Sequence, residues 1–249
     1  MIQLEAIETA YGTIKLLKNR ATGALTYELG GRSQSAADEK GVSLASYIHA
    51  IFGLLSQAKA RSILLIGGGG GTLGTMLARA RRAVSIVDVN PVSFALARRY
   101  FGLPEQVACH VADGSAFLRT AADRYDAIVV DAFHGDHIPS HLRSPAFFEQ
   151  VRDHLTPRGA VFANVHVKHD FDDYADRVAA AMKTAWSEVR VLDAEGICER
   201  NAIVMAGLVS RLRAPGLLVR PQTNASAIDE ELVRLRFRAW KTSRWDFGN

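Results

Sequence analysis

The strongest constraint on the fold is a run of five glycines, residues 67–71, between an apolar segment and a segment with helical spacing. The apolar residues 63–66 predict a buried strand, and the residues from Thr72 onward predict the first turn of a helix. Glycine suits this junction because a sharp turn needs positive φ angles and lets a ligand approach the backbone closely. The N–H groups of the helix N-terminus would face that ligand. The junction therefore predicts a nucleotide or nucleoside site.

Beyond this junction, short apolar runs alternate with helical stretches. Apolar runs without polar alternation are typical of strands buried on both faces, so the pattern predicts a mostly parallel sheet covered by helices. We expect an α/β fold of the Rossmann-like, S-adenosylmethionine-dependent methyltransferase type, with seven strands of which the last is antiparallel. The predicted strands are residues 63–66, 84–87, 107–111, 127–130, 160–165, 189–192 and 202–206. The predicted helices between them are residues 72–81, 91–100, 115–122, 144–154 and 172–186.

The two flanks of this α/β region have different patterns. Residues 12–17 and 24–29 are β-prone and are separated by polar residues, which predicts a β-hairpin. Residues 42–60 have helical apolar spacing and lead into the sheet, and a last helix is predicted near residues 228–240. The predicted divisions are a small N-terminal β unit (1–41), a Rossmann-like catalytic domain (42–210) and a C-terminal helical extension (211–249).

Three aspartates follow predicted strands and would meet at one edge of the sheet, where open α/β sheets bind ligands. Asp88 lies about 20 residues beyond the glycine run, the spacing at which a carboxylate accepts hydrogen bonds from ribose hydroxyls. Asp113 could reach an adenine amino group or could cap the next helix. Asp131 ends the fourth strand. No Gly-Lys-Ser/Thr follows the glycines, which excludes a Walker-type loop and favours a nucleoside such as S-adenosylmethionine.

The order of these motifs resembles that of the spermidine synthases, the polyamine aminopropyltransferases. The resemblance extends from about Tyr11 to Val165. The motifs that carry it are Gly30-Gly31-Arg32-Ser33-Gln34, Asp38-Glu39, the glycine run, Val87-Asp88-Val89-Asn90, Asp113-Gly114 and Val130-Asp131.

The resemblance implies both a reaction and a set of site residues. Members of the family transfer an aminopropyl group from decarboxylated S-adenosylmethionine to a diamine, and an N-terminal β unit precedes their Rossmann-like domain. By position, Asp113 would contact the adenine and Asp131 would be the catalytic base. The implied donor-binding residues are Gln34, Gly67, Gly68, Gly69, Gly71, Asp88, Val89, Asp113 and Gly114. The implied acceptor-binding residues are Tyr11, Asp131, His134 and Asp136. The resemblance also implies a homodimer.

Three features depart from the family pattern. The family's glycine loop carries an aspartate that meets the amino group of the aminopropyl arm, and Gly70 stands in that place here. The aromatic-His/Gln-Glu segment is missing at its usual place, and Tyr47 and His49 are displaced relatives of it. The segment around the base has His134 and Asp136 in place of the family's Asp-Ser-x-Asp-Pro pattern. The chain therefore resembles a divergent, spermidine-synthase-like branch.

Two alternative functions remain open at this point. Gly70 would leave room at the amino-acid end of the donor, as a methyltransferase that uses intact S-adenosylmethionine requires. A non-catalytic nucleoside-binding protein is the second alternative. Asp131 argues against this second alternative, because a binding module has no need of a carboxylate beside the sulfonium.

Two polar segments invite other interpretations. The loop with His134, Asp136, His137 and His141 could be a metal site or a polar lid, and we expect a lid and no metal, because its spacing does not match known zinc sites. The net charge is +4, and basic and aromatic residues alternate in the tail. That tail could bind single-stranded nucleic acid or form a helix with a buried aromatic face. We expect the helix, with a small-molecule amine as the partner. The tail residues concerned are Arg236, Phe237, Arg238, Trp240, Lys241, Arg244 and Trp245.

The chain shows no sequence signal for a membrane or for secretion. No segment approaches the roughly 20 apolar residues that span a bilayer, and residues 1–5 do not begin a secretory signal. Neither Cys109 nor Cys198 belongs to a paired motif. We therefore expect a cytoplasmic protein with reduced thiols.

Overall fold

The computed structural model describes residues 1–241, which begin with a four-stranded antiparallel sheet. Its strands lie in chain order: β1 (Ile2–Thr9), β2 (Gly12–Lys18), β3 (Leu25–Leu29) and β4 (Arg32–Ala37). The predicted hairpin corresponds to β2 and β3, so the N-terminal unit has two more strands than the sequence indicated. Most β1 side chains are exposed, and β4 is polar over Arg32–Ser35, so neither carries a strong hydrophobic signal.

The larger sheet has eight strands among the described residues. They are β5 (Ser62–Ile66), β6 (Ala83–Asp88), β7 (Ala108–Val111), β8 (Tyr125–Val130), β9 (Leu155–Val167), β10 (Val189–Asp193), β11 (Arg200–Gly207) and β12 (Arg236–Arg238). Their order is β12-β10-β11-β9-β8-β5-β6-β7. Strands β5 to β9 pair in parallel, and β11 is antiparallel to both of its neighbours. The predicted methyltransferase-type fold is confirmed.

The eighth strand corrects the seven-strand prediction and the predicted last helix. Instead of one helix over residues 228–240, the chain forms a helix at Ala225–Arg234 and then β12, which pairs antiparallel with β10. Residues 236–238 pair with β10 as a strand because the Arg238 guanidinium binds two buried carboxylates there. They belong to Asp193, at the end of β10, and Asp176, on the neighbouring helix. Two residues of the predicted tail, Arg244 and Trp245, lie outside the described residues.

Helices cover both faces of the larger sheet. They are α1 (Ser46–Gln57), α2 (Thr72–Arg79), α3 (Pro91–Tyr100), α4 (Gly114–Thr120), α5 (Pro145–Asp153), α6 (Tyr174–Lys183) and α7 (Ala225–Arg234), with a short 3-10 helix at Ser140–Arg143. One apolar core lies between the sheet and α1, α2, α3 and α7, and a second lies between the sheet and α4, α5 and α6. None of the helices within residues 1–241 is long and apolar enough to cross a membrane.

The N-terminal sheet packs on α3 and thereby approaches the glycine loop. Ile14, Leu16 and Tyr27 are buried in a third core with Leu96 and Phe101. This packing brings the polar strand β4 to the carboxyl edge of the larger sheet. The division at residues 41 and 210 stays a prediction.

Candidate functional site

The glycine loop forms the turn between β5 and α2. Gly67 has a φ of +97°. A Cβ atom at this position would lie 2.3 Å from the backbone oxygen of Asp131. Glycine is therefore required at position 67, because the ends of β5 and β8 approach each other here with no room for a side chain.

The carboxylate of Asp88 is held beside this loop by two backbone N–H groups. Its Oδ2 accepts a hydrogen bond from the Gly68 N–H at 2.7 Å, and its Oδ1 accepts one from the Asn90 N–H at 2.8 Å. Each carboxylate oxygen has two lone pairs, so both can accept a further hydrogen bond from a ligand. Val89, the residue after β6, is 39% exposed at the same edge of the sheet.

Asp113 caps α4 and also contacts the His-rich loop. Its Oδ1 accepts a hydrogen bond from the Ala116 N–H at 2.9 Å, and its Oδ2 lies 2.6 Å from Nε2 of His141. Burial raises the pKa of Asp113, but these hydrogen bonds outweigh it and hold the pKa below its usual value. The helix-cap alternative is therefore correct, and a contact with adenine stays a prediction. Gly114 is buried against Ile66.

Asp131 lies at the end of β8 without a cationic partner among the described residues. Asn164 of β9 donates a hydrogen bond from Nδ2 to Oδ1 at 2.8 Å, and Tyr47 of α1 lies with its hydroxyl 3.4 Å from Oδ2. Burial raises the pKa of Asp131 to about 7, although both neighbours favour the charged form. Burial together with the nearby carboxylate raises the pKa of Tyr47 well above its usual value, so the tyrosine remains a donor. A carboxyl group that titrates near neutrality can accept a proton from a substrate.

A cavity of about 450 Å³ lies beside Tyr47 and Asn164. Tyr47 and Ser35 border both this cavity and a smaller void that Asp131 shares with the glycine loop. The residues that line the larger cavity are Arg32, Ser33, Gln34, Ser35, Ala36, Leu44, Ala45, Tyr47, Phe133, Gly135, Asp136, Asn164, His166, Glu199 and Asn201. The cavity therefore reaches from the side of Asp131 to the N-terminal sheet.

The strand β4 makes direct contact with the glycine loop. The Gly70 N–H donates a hydrogen bond to Oγ of Ser35 at 3.0 Å. A Cβ atom at Gly70 would lie 3.0 Å from Cβ of Ser35 and 3.2 Å from the ring of Phe101. An aspartate at this position would require Ser35 and the Phe101 ring to shift by a few tenths of an ångström. Gln34 lies next to the same contact, about 3.9 Å from a Cβ placed at Gly69.

The predicted acceptor-binding residues are only partly brought together. Asp136 lines the cavity, but it forms ion pairs with Arg32 and Lys168. Tyr11 lies in the turn between β1 and β2, is 50% exposed and does not line the cavity. His134 is exposed and contacts His137 through the backbone.

The His-rich loop is spread over separate partners. His141 pairs with Asp113, His137 packs edge-on against the Tyr174 ring, and Asp136 binds cations. Within residues 1–241, no three His, Cys, Asp or Glu side chains are arranged to hold a metal ion.

The predicted site did not include Ser35, Tyr47, Asn164 or Asn201, although the sequence pointed to Tyr47 as a displaced relative of the family's aromatic segment. The Nδ2 of Asn201 donates a hydrogen bond to Oδ1 of Asn164 at 2.9 Å, so the two amides form a chain that ends at Asp131. For Asn164 the available signal was an asparagine within the otherwise apolar segment 160–165, since a buried amide needs a partner.

Comparisons with known proteins agree with the fold and with the motif resemblance. Residues 63–159 match a family model described as a methyltransferase domain. The chain is 27% identical over 190 residues to the polyamine aminopropyltransferase of Vibrio vulnificus, covering 74% of this chain and 62% of that protein. It is 37% identical over 125 residues to the polyamine aminopropyltransferase of Chromobacterium violaceum, covering 48% of each chain. The chain thus spans less than two thirds of the curated relatives it matches.

Among solved structures, a probable spermidine synthase from Corynebacterium glutamicum superposes with a TM-score of 0.78 at 21% identity. The alignment covers 95% of this chain and 90% of that one. At this identity the likeness shows a shared fold that includes the N-terminal sheet. The predicted resemblance to the spermidine synthases is confirmed by these similarities in sequence and fold.

Proposed function

We propose that this protein is a spermidine-synthase-like transferase that moves an aminopropyl group from decarboxylated S-adenosylmethionine to an amine acceptor. The observation that carries the proposal is Asp131, a carboxyl group with a pKa raised to about 7 beside both the glycine loop and the 450 Å³ cavity. The sequence similarity to polyamine aminopropyltransferases supports the same reaction.

The donor would bind at the carboxyl edge of the larger sheet. The Asp88 carboxylate, fixed by the N–H groups of Gly68 and Asn90, suits the two ribose hydroxyls. Exposed Val89 suits the face of the adenine, and Gln34 lies within reach of the loop from the N-terminal sheet. These donor contacts are part of the proposal.

The reaction needs one proton transfer and one displacement. Asp131 takes a proton from the acceptor ammonium, which frees the nitrogen lone pair. The nitrogen then forms a bond to the carbon next to the sulfonium, while the carbon–sulfur bond breaks and its electron pair stays on sulfur. The products are a secondary ammonium, methylthioadenosine and protonated Asp131. Tyr47 and Asn164 hold the carboxylate in place, so positioning is the main contribution of this chain.

The test is calorimetric titration with decarboxylated S-adenosylmethionine, intact S-adenosylmethionine and methylthioadenosine. We expect the decarboxylated donor to bind more tightly than the intact one. We also expect Asp131→Asn to bind methylthioadenosine normally while failing to release it from the donor when an amine is present. If none of the three nucleosides binds, the proposal is wrong.

A second candidate function is a methyltransferase that uses intact S-adenosylmethionine, and Gly70 favours it. In the spermidine synthases that the chain resembles, an aspartate at this place binds the donor's amino group. Here Ser35 packs against the glycine instead. Without that carboxylate, the site does not repel the carboxylate of the intact donor. Tighter binding of the intact donor in the same titration would support this alternative.

The proposal also includes a homodimer and a cytoplasmic location. The family resemblance supports the dimer, and the two free thiols, Cys109 and Cys198, agree with a reducing compartment. Light scattering during size-exclusion chromatography measures the oligomeric state directly.

A further inference from the structure

Three polar side chains from neighbouring strands form a line from the cavity wall to Asp131. Asn201 of β11 donates a hydrogen bond from Nδ2 to Oδ1 of Asn164 at 2.9 Å, and Asn164 of β9 donates one from Nδ2 to Oδ1 of Asp131 at 2.8 Å. Asn164 is buried, whereas Asn201 is half-buried and lines the cavity. The amide of Asn164 is therefore held between the carboxylate and Asn201.

The register of β9 and β11 brings the two amides together. The strands pair antiparallel, with Asn201 opposite His166 and Ile203 opposite Asn164. Alternate residues of a strand point to the same face of the sheet. Diagonal neighbours on paired strands lie within reach of long side chains. The contact between Asn201 and Asn164 thus follows from the strand pairing.

The contact with Asn201 decides which end of the Asn164 amide faces Asp131. An amide has a carbonyl that only accepts hydrogen bonds and an NH₂ group that only donates them. Asn201 occupies the carbonyl, so the NH₂ group faces the carboxylate. The opposite orientation would set two acceptors against each other while Asp131 is charged, and it suits only a protonated carboxyl group. Hydrogen bonds in a chain also polarise one another, which makes the Asn164 NH₂ a better donor.

The titratable groups nearest this line of side chains belong to α1 and to the cavity wall. The Tyr47 hydroxyl lies 3.4 Å from Oδ2 of Asp131. His166, opposite Asn201, pairs with Glu199. The other charged residues that line the cavity are Arg32 and Asp136. Replacement of Asn201 by another neutral residue leaves all of these charges in place, so it isolates the effect of the amide.

We propose that Asn201 is a positioning residue: its hydrogen bond to Asn164 fixes the amide orientation that keeps Asp131 a charged proton acceptor. Asn201 acts on Asp131 through Asn164. The importance of this role for catalysis rests on the proposed function, in which Asp131 takes a proton from the acceptor amine. The hydrogen bonds themselves do not depend on the reaction and are tested without it.

The test is a double-mutant cycle, measured by the pH titration of the ¹³C carboxyl resonance of Asp131. Leucine at position 201 fills the space of the amide without donating a hydrogen bond. In Asn201→Leu we expect the titration midpoint of Asp131 to rise by roughly half a pH unit or more, as for loss of one hydrogen bond. In the Asn164→Leu background the same substitution should add nothing, because its route to Asp131 is gone. Ser33→Ala, which alters another polar group of the cavity, should leave the midpoint unchanged.

A second variant covers the case in which leucine disrupts the sheet. Asn201→Asp keeps the size of the side chain, but its carboxylate accepts a hydrogen bond from the Asn164 NH₂ and turns the Asn164 carbonyl toward Asp131. We expect the midpoint of Asp131 to rise more than it does when Asn201→Asp is combined with Asn164→Leu. In that combination only the repulsion between two carboxylates remains.

A kinetic measurement separates positioning from a merely structural role. With decarboxylated S-adenosylmethionine and an amine, the acid limb of the rate of methylthioadenosine release should move upward in Asn201→Leu by the same interval as the carboxyl titration. The affinity for methylthioadenosine should stay unchanged. An acid limb that does not move, in a variant whose carboxyl titration does, overturns the positioning role.

The possible results also separate this inference from the proposed function. An unchanged midpoint in both Asn201 variants overturns the inference, as does a rise in Asn201→Leu that persists in full in the Asn164→Leu background. Either result leaves the transferase proposal in place. If methylthioadenosine does not bind the unsubstituted protein, the proposed function fails and the catalytic role of Asn201 fails with it, whereas the effect of Asn201 on the Asp131 titration would still be measured.

Discussion

The amide of Asn164 on β9 donates a hydrogen bond to the Asp131 carboxylate on β8 at 2.8 Å, so the pKa of Asp131 depends on the neighbouring strand. This hydrogen bond favours the charged carboxylate and lowers the pKa, in opposition to burial. We therefore predict that Asn164→Leu raises the pKa of Asp131 above its value of about 7. The measurement is the pH titration of the ¹³C carboxyl resonance of Asp131, assigned by its loss in Asp131→Asn.

The same pKa has a consequence for stability. A carboxyl group with a raised folded pKa binds more protons folded than unfolded between its two pKa values, so stability falls as the pH rises through that window. For Asp131 the window lies between about 4, the usual unfolded value, and about 7. Asp131→Asn should remove this contribution and flatten the dependence of the unfolding free energy on pH from 4 to 7. A titration of Asp131 near pH 4 would contradict both predictions.

Asp88 is predicted to dominate binding of the nucleoside. Asp88→Asn removes the negative charge and replaces one acceptor oxygen with an NH₂ group, which cannot accept a hydrogen bond from the Gly68 or Asn90 N–H. We expect methylthioadenosine to bind roughly 10- to 100-fold more weakly, as for loss of a charged hydrogen-bond partner. The measurement is calorimetry, with Asp123→Asn in an exposed loop as the control. Unchanged affinity in Asp88→Asn would place the ribose elsewhere.

Gly67 and Gly135 form a matched pair for testing the close approach of β5 and β8. Both have positive φ angles, +97° and +64°. A Cβ at Gly67 would collide with the backbone of Asp131, whereas a Cβ at Gly135 has no neighbour within 4 Å. We predict that Gly135→Ala costs only about 1–2 kcal/mol of backbone strain. Gly67→Ala should cost more and should also abolish nucleoside binding, measured by urea unfolding and calorimetry. Equal effects of the two substitutions would contradict the steric explanation.

The strands of the buried core could be predicted from the sequence because each of them is a continuous run of apolar residues. The strands from β5 to β11 are apolar runs, and Asp88, Asp113 and Asp131 follow strands whose carboxyl ends must share an edge. Strands β1, β4 and β12 are polar or exposed and have no such apolar run. Their positions depend on packing against residues that are distant in the chain.

The acceptor side of the site was harder to predict, because it depends on contacts between residues far apart in the chain. Tyr47 reaches Asp131 from α1, and Arg32 reaches Asp136 from β4. No periodicity or motif spacing encodes such pairs. Asp136 lines the cavity, and the sequence does not indicate that Arg32 and Lys168 pair with its carboxylate.

Arg238 is predicted to anchor β12, and with it the end of the described chain, through buried ion pairs. Its guanidinium binds Asp176 through both Nη atoms, at 2.7 and 3.2 Å, and its Nε lies 3.0 Å from Oδ2 of Asp193. Both carboxylates are buried. Asp193 would keep Arg200 as a partner in Arg238→Met, whereas Asp176 would keep, among residues 1–241, only the Lys241 N–H. Removal of one partner from a buried pair costs about 3–5 kcal/mol, because the other charge stays buried.

We therefore expect Arg238→Met to lower the free energy of unfolding by about 3 kcal/mol at pH 7.5. Urea unfolding followed by circular dichroism measures the change. The control is Arg234→Met, at the exposed last residue of α7, which should change the free energy of unfolding by less than about 0.5 kcal/mol.

The pH dependence of the unfolding free energy gives an independent check. Burial raises the pKa of Asp193, but hydrogen bonds from Arg200 and Arg238 outweigh it and hold the pKa below its usual value. The stabilisation from Asp193 is thus present above about pH 4 and lost as the pH falls through the folded pKa. In Arg238→Met this acid-dependent loss should be smaller, and an unchanged acid limb would mean that Arg200 alone holds the carboxylate.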